Sequence, residues 1–128
     1  MVTIDKRSSK PYYEQLVLAV KEEVLQGVLK AGDRLPSVRE MAKMLLMNPN
    51  TVSKAYKVLE SEQVLVTIKG KGTFVNQVTD QPRDEFKIRQ VKDNFAELIV
   101  EAIHLQVTEK EMTGWIRESY ETLRGAAQ

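Results

Sequence analysis

Between Asn48 and Ser61 the polar residues gather on one side of a helical period. Asn50, Ser53, Lys54, Lys57 and Ser61 recur three and four residues apart, while Val52, Ala55, Val58 and Leu59 take the opposite side. No acid interrupts the polar row before Glu60. Amide, hydroxyl and ammonium groups in such a row suit the edges of a nucleic acid. Asn can pair with adenine, and Lys can donate to guanine or hold a phosphate. Two smaller groups could add to this row. Arg39 lies in the first turn of a short helix just upstream, where it can meet a phosphate or a base. Lys69 and Lys71 flank Gly70, with Gly72 following. Glycines at a tip let backbone approach a phosphate, and a lysine there can enter a minor groove. Tyr56 borders the apolar face, so packing and phosphate contact both stay open.

These residues need elements to hold them. A first helix is expected from Pro11 to Gln26, with Tyr13, Leu16, Val17, Val20 and Val24 as its apolar stripe and Gly27 as its end. The segment VLKAGDRLP reads as an extended connector anchored by Leu29 and Leu35. Ser37-Val38-Arg39-Glu40 is a capping box, and it opens a second helix over 38–45. Leu46-Met47-Asn48 makes a short turn. Asn48 can cap the third helix, 49–62, and Pro49 suits its first position. Strand-like residues at 64–69 and 73–76, with Gly70-Lys71-Gly72 as the reversal, predict a β-hairpin. Helix, helix, turn, helix and hairpin in that order make a winged helix-turn-helix. A capped helix and a tight turn ahead of the third helix aim its N-terminus at base edges.

The remainder differs in character. Residues 78–82 read as a linker between a domain at 1–77 and a helical tail at 83–128. From Asp84 a long helix is expected to Leu105. Ile88, Val91, Phe95, Leu98, Ala102 and Leu105 alternate spacings of three and four, an interhelical seam that Ile99 and Ile103 widen. Thr108-Glu109-Lys110-Glu111 is a second capping box, starting a last helix over 109–123 with Met112, Ile116 and Leu123 on one face. The seam and Ile116 are expected to form a homodimer interface. The fold class is thus mainly α, a winged helix-turn-helix domain with a small hairpin wing and a two-helix dimerisation tail.

Bulk properties narrow the functions. The chain has 128 residues, 42% hydrophobic and 29% charged, a globular balance. It has no cysteine, which excludes disulfides and thiolate metal sites and fits a reducing cytoplasm. The N-terminus has no apolar run of a signal peptide, and no stretch suggests a membrane partner. Residues 1–79 carry 12 Lys/Arg against 8 Asp/Glu, whereas 80–128 carry 7 against 10. A basic front and an acidic back suggest that only the front meets a polyanion. His104 is the single histidine, so no metal cluster or nucleophile–His pair is expected. No catalytic residue and no cofactor is expected.

The stretch GVLKAGDRLPSVREMAKMLLMNPNTVSKAYKVLESEQVLVTIKGKGTFV resembles the DNA-binding domain of GntR-family regulators. LPSVREMA, NPNTVSKAYKVLE and KGKGTFV carry the likeness by their order and spacing. NPNTVSKAY with a two-helix tail resembles the YtrA subfamily, in which the short tail dimerises. The resemblance implies a regulator, most simply a repressor, that binds double-stranded operator DNA as a homodimer, and it suggests control of an ABC transporter operon. It implies DNA contacts at Arg39, at Asn48, Asn50 and Thr51, at Ser53, Lys54 and Lys57, and at Gly70, Lys71, Gly72 and Thr73; Ser37 beside Arg39 and Lys69 at the hairpin tip are expected to join them. A small-molecule effector stays open. Three departures stand out. Leu46 and Gln63 occupy positions where relatives often have glycine, so those turns are expected to differ in shape. Ile68 replaces a frequently basic wing residue.

Overall fold

In the computed structural model, residues 2–77 and 82–124 are described. The first unit is built on α1 (Tyr12–Leu25), α2 (Val38–Leu45), α3 (Pro49–Ser61) and the antiparallel strands β1 (Leu65–Ile68) and β2 (Gly72–Val75). The second holds α4 (Glu85–His104) and α5 (Glu109–Arg124) as far as Thr122. The fold is a winged helix-turn-helix followed by two helices. The expected linker at 78–82 lies outside the described residues except for Pro82.

Helix α3 is the hub of the first unit. Its Val52, Ala55, Tyr56 and Leu59 are buried among Leu16 and Val20 of α1, Met41 and Ala42 of α2, Leu35, Met47, and Leu65 and Val75 of the hairpin. This is the apolar side read from the sequence, with one change. Val58 is only half-buried, and Tyr56 takes the core place. The Tyr56 hydroxyl donates to the Pro36 carbonyl at 2.7 Å. Burial pushes its pKa well above the ordinary value, and the nearby Glu40 carboxylate adds to the rise. A buried, hydrogen-bonded phenol ties α3 to the segment entering α2 and is withdrawn from phosphate contact.

The local start signals act as expected. The Glu40 amide donates to Ser37 Oγ at 3.1 Å, and the Ser37 amide donates to Glu40 Oε1 at 2.9 Å. The Ser37 backbone N–H is the main reason the Glu40 carboxyl titrates below its usual value, and the Ser37 hydroxyl adds to it. A depressed carboxyl contributes stability above its unfolded pKa and loses it as pH falls through the folded one, so this cap weakens only in acid. The Asn50 amide donates to Asn48 Oδ1 at 2.8 Å, capping α3. The second capping box also forms, with the Thr108 amide donating to Glu111 Oε1 and the Glu111 amide to Thr108 Oγ1, both at 3.1 Å. Pro11 stands just ahead of α1 in an extended conformation rather than inside its first turn, with ψ 144°.

Helix ends depart from the sequence reading. Leu46 (φ 54°), Gln63 (φ 63°) and Gln106 (φ 65°) are all left-handed. At each, the next amide reaches back five residues: Met47 to Ala42, Val64 to Leu59 and Val107 to Ala102, all at 2.9 Å. That bond defines a Schellman end, usually closed by glycine. The turns after α2 and α3 therefore keep the glycine shape instead of changing it, since the back-bond satisfies an orphan carbonyl. Each side chain bears about 1 kcal/mol of strain for this. Leu46 is 79% exposed and packs little. Leu46→Gly should accordingly raise the melting temperature by about 4–8 °C, corresponding to roughly 1 kcal/mol. Thermal denaturation followed by circular dichroism checks this, and a lowered midpoint would contradict it.

The first strand is shorter than the sequence suggested, and the second is the expected length but begins one residue early. Val64 spends its amide on closing α3, so β1 begins at Leu65. The reversal is Lys69-Gly70-Lys71, one residue early, with the Lys71 amide donating to the Ile68 carbonyl at 2.9 Å. Gly72 lies in β2 opposite Ile68.

In the second unit no side chain of α4 or α5 is buried. Phe95, Leu98, Ile99, Ala102 and Leu105 of the α4 end face Met112, Trp115, Ile116 and Tyr120 of α5 across an open apolar groove of about 530 Å³. Ile88, Ile99 and Ala102 are half-buried, and Val91, Phe95, Leu98, Leu105 and Ile116 are exposed.

Candidate nucleic-acid interface

The outer face of α3 presents Asn50, Ser53, Lys54 and Lys57, which line one shallow concavity with Val58 and Ser61. Asn50, Lys54 and Lys57 are exposed; Thr51 and Ser53 are half-buried. Not all of these groups are free. Asn48 uses Oδ1 as the helix cap, leaving its amide NH₂ to donate. Ser61 donates to the Val58 carbonyl at 2.7 Å, so its hydroxyl turns back to its own helix. The Lys54 ammonium rests 3.9 Å from the centre of the Tyr13 ring on α1. This cation–π contact is worth about 0.5–1 kcal/mol at an exposed site.

Around this face stand the flanking groups. Ser37 and Arg39 are exposed at the start of α2. Ser37 Oγ accepts from Glu40 but keeps its own proton to donate. On the wing, Lys69, Gly70 and Lys71 are exposed at the turn. Thr73 is half-buried, and its hydroxyl lies 3.1 Å from Thr67 Oγ1, which in turn bonds to the Glu60 carboxylate. Thr73 thus sits inside the hairpin's polar seam rather than at its tip. Ile68 is 44% exposed and brings no charge to that strand.

Sequence reasoning took Tyr13 only as part of the apolar stripe of α1 and did not single out Lys6 or Arg34. Lys6 donates to the Leu46 carbonyl at 3.2 Å, placing a cation at the C-terminal end of α2. Arg34 pairs through its backbone with Phe74. All three contacts join residues 40 or more positions apart, so spacing along the chain gave no signal for them. Among the described residues no group of three His, Cys, Asp or Glu could hold a metal ion. Among the described residues no helix is long and apolar enough to cross a membrane.

A capped helix exposing amide and ammonium groups beside a lysine-bearing hairpin has the form of a DNA-reading surface. The family model of bacterial regulatory proteins of the gntR family matches residues 12–75, the whole of this surface. The chain belongs to the GntR family. It is a DNA-binding transcriptional regulator and not an enzyme. It is 42% identical over 125 residues to the HTH-type transcriptional repressor YtrA of Bacillus subtilis, covering 98% of this chain and 96% of that one. The crystal structure of a protein named a transcriptional antiterminator from Listeria monocytogenes superposes with a TM-score of 0.89 at 39% identity, covering 96% and 92% of the two chains. The AraR DNA-binding domain in complex with operator ORX1 superposes with a TM-score of 0.52 at 26% identity, covering 59% of this chain and 94% of that one. This GntR regulator therefore shares its tail, as well as its DNA-binding domain, with relatives of nearly its own length.

Proposed function

We propose that this GntR regulator is a repressor that binds an inverted-repeat operator as a homodimer. The carrying observation is the α3 face, where Asn50, Ser53, Lys54 and Lys57 line one concavity that holds no acid. A face of that size and chemistry suits a major groove, where every base pair is distinguishable. A two-fold dimer offers two copies of α3 and so calls for two symmetric half-sites. The likeness to YtrA supports the sign of regulation, and the subfamily resemblance supports an ABC transporter operon as the target.

Selection of genomic fragments by the purified protein, followed by footprinting, tests the reading. Protection of two symmetric half-sites upstream of transporter genes is expected, with transcription rising when the protein is removed. Protection of one asymmetric half-site, or falling transcription, would contradict it.

The helix and the wing should do different work. Asn50→Ala or Lys54→Ala should cost about 1–3 kcal/mol on the operator and change which bases are preferred. Lys71→Ala should weaken operator and scrambled duplex by similar factors and make the salt dependence shallower by about one unit per site contacted. Competition titrations at several salt concentrations decide it. A changed base preference in Lys71→Ala, with merely uniform weakening in the helix variants, would reverse the two roles.

A further inference from the structure

We infer that Arg34 is a DNA-backbone contact at the root of the wing, held in place by Gly72. The inference rests on the DNA-binding reading of α3 and adds a residue that lies on neither the recognition helix nor the hairpin tip.

The backbone fixes where Arg34 can point. The Leu35 amide donates to the Thr73 carbonyl and the Val75 amide to the Asp33 carbonyl, both at 2.8 Å. Arg34 itself forms an antiparallel bridge with Phe74. Residues 33–35 thus lie beside β2 as a short third strand. In such a pair the side chains of Arg34 and Phe74 share a face, and Gly72, two residues from Phe74, shares it too.

Gly72 leaves the space that the guanidinium fills. A Cβ on Gly72 would lie 2.8 Å from Arg34 Nε and 3.6 Å from both Cζ and Nη2. Gly72 also has φ 126°, a conformation that side-chain-bearing residues rarely adopt. Backbone and space both require glycine where the arginine lies across the strand.

The guanidinium is seated without being neutralised. Among the described residues it makes no hydrogen bond and no ion pair. It acts on Glu40 only through space, helping to hold that carboxyl down, while Glu40 itself is bonded to Ser37. An arginine serving only to pin the wing would be expected to spend its donors on the protein. Here the guanidinium itself lies against Gly72 on an exposed residue, and its donors stay available. It stands between the start of α2, with Ser37 and Arg39, and the strand that follows Lys71. A fork lying across the glycine, between two groups expected on the DNA backbone, fits a phosphate oxygen pair.

The test is the dependence of affinity on salt for the full chain. Wild type, Arg34→Met and Arg34→Lys are titrated with the selected operator and with a scrambled duplex, and each is melted. Arg34→Met keeps the apolar stem and removes the charge. It should bind both duplexes about ten-fold more weakly. Its slope of log affinity against log salt should be shallower by about one unit per wing engaged, at an unchanged melting temperature. Arg34→Lys should keep the wild-type slope while losing part of the affinity, because an ammonium cannot bond bidentately. An unchanged slope in Arg34→Met overturns the inference whatever happens to affinity, since a purely structural role does not release counterions. If Arg34→Met fails to fold, the slope of Arg34→Gln decides in the same way. A wild-type protein that binds neither duplex sinks the DNA-binding reading itself, a result distinct from an unchanged slope.

Discussion

A chain ended after Asn76 is expected to fold, to stay monomeric and to hold its operator about 10²–10⁴-fold more weakly than the full-length protein. The first unit contains its own core, from Leu16 to Val75, so the cut removes none of those buried side chains. What it removes is α4 and α5, whose apolar side chains line an open groove and of which none is fully buried within one chain. Phe95 is 47% exposed, Leu98 61%, Trp115 51% and Tyr120 62%, an apolar extent that rarely stays in water. If a second copy covers it, the two DNA-binding units are tethered, and the second half-site is met at high effective concentration. Loss of the tether then costs the avidity without changing a single DNA contact. Sedimentation of both chains at micromolar concentration, with binding to one and two half-sites, measures this. A monomeric full-length chain, or a truncated chain that still dimerises, would refute the proposed assembly.

Leu59→Ala is expected to destabilise the first unit by about 2–5 kcal/mol. Leu59 is fully buried, and its carbonyl accepts the Val64 amide that closes α3. Truncation leaves a cavity in the cluster where α3 meets the other elements, and the surrounding side chains are held too tightly to fill it. At about 4–8 °C per kcal/mol for a domain of this size, the melting midpoint falls by roughly 8–40 °C. Below the new midpoint, the folded fraction should still read the same bases, since the outer face of α3 is untouched. Thermal denaturation and operator titration at low temperature separate the two effects. A shift of less than a few degrees would mean that α3 is not the hub described.

What the sequence revealed and what it hid follow from the range of the interactions. The start of α2 was readable because Ser37 and Glu40 are three residues apart and satisfy each other. The caps at Asn48 and Thr108 are equally local. The seam of α4 was readable because a helical period repeats it. Tyr56 was ambiguous because its partner, the Pro36 carbonyl, comes from another element. The wing reversal was placed one residue late because two glycines looked alike. Pairing of Gly72 with Ile68, and the arginine lying against it, distinguish them. Leu46 and Gln63 stood out in the sequence as replacing a usual glycine, but the back-bonds that keep the glycine shape are visible only in three dimensions.

Lys54, proposed to meet DNA, does not stand free in water. Its ammonium is already bound to the π face of Tyr13. Any site on DNA therefore competes with an occupant, and only the difference between the two attachments appears as affinity. A diffuse encounter with phosphate barely exceeds the roughly 0.5–1 kcal/mol that the ring supplies. A well-aligned guanine edge exceeds it clearly. If Lys54 meets DNA as proposed, the ring would act as a threshold, subtracting nearly the whole of this lysine's contribution from random sequences and only part of it from the correct one. Discrimination is a difference of affinities, and an aromatic residue that never touches a base can widen it.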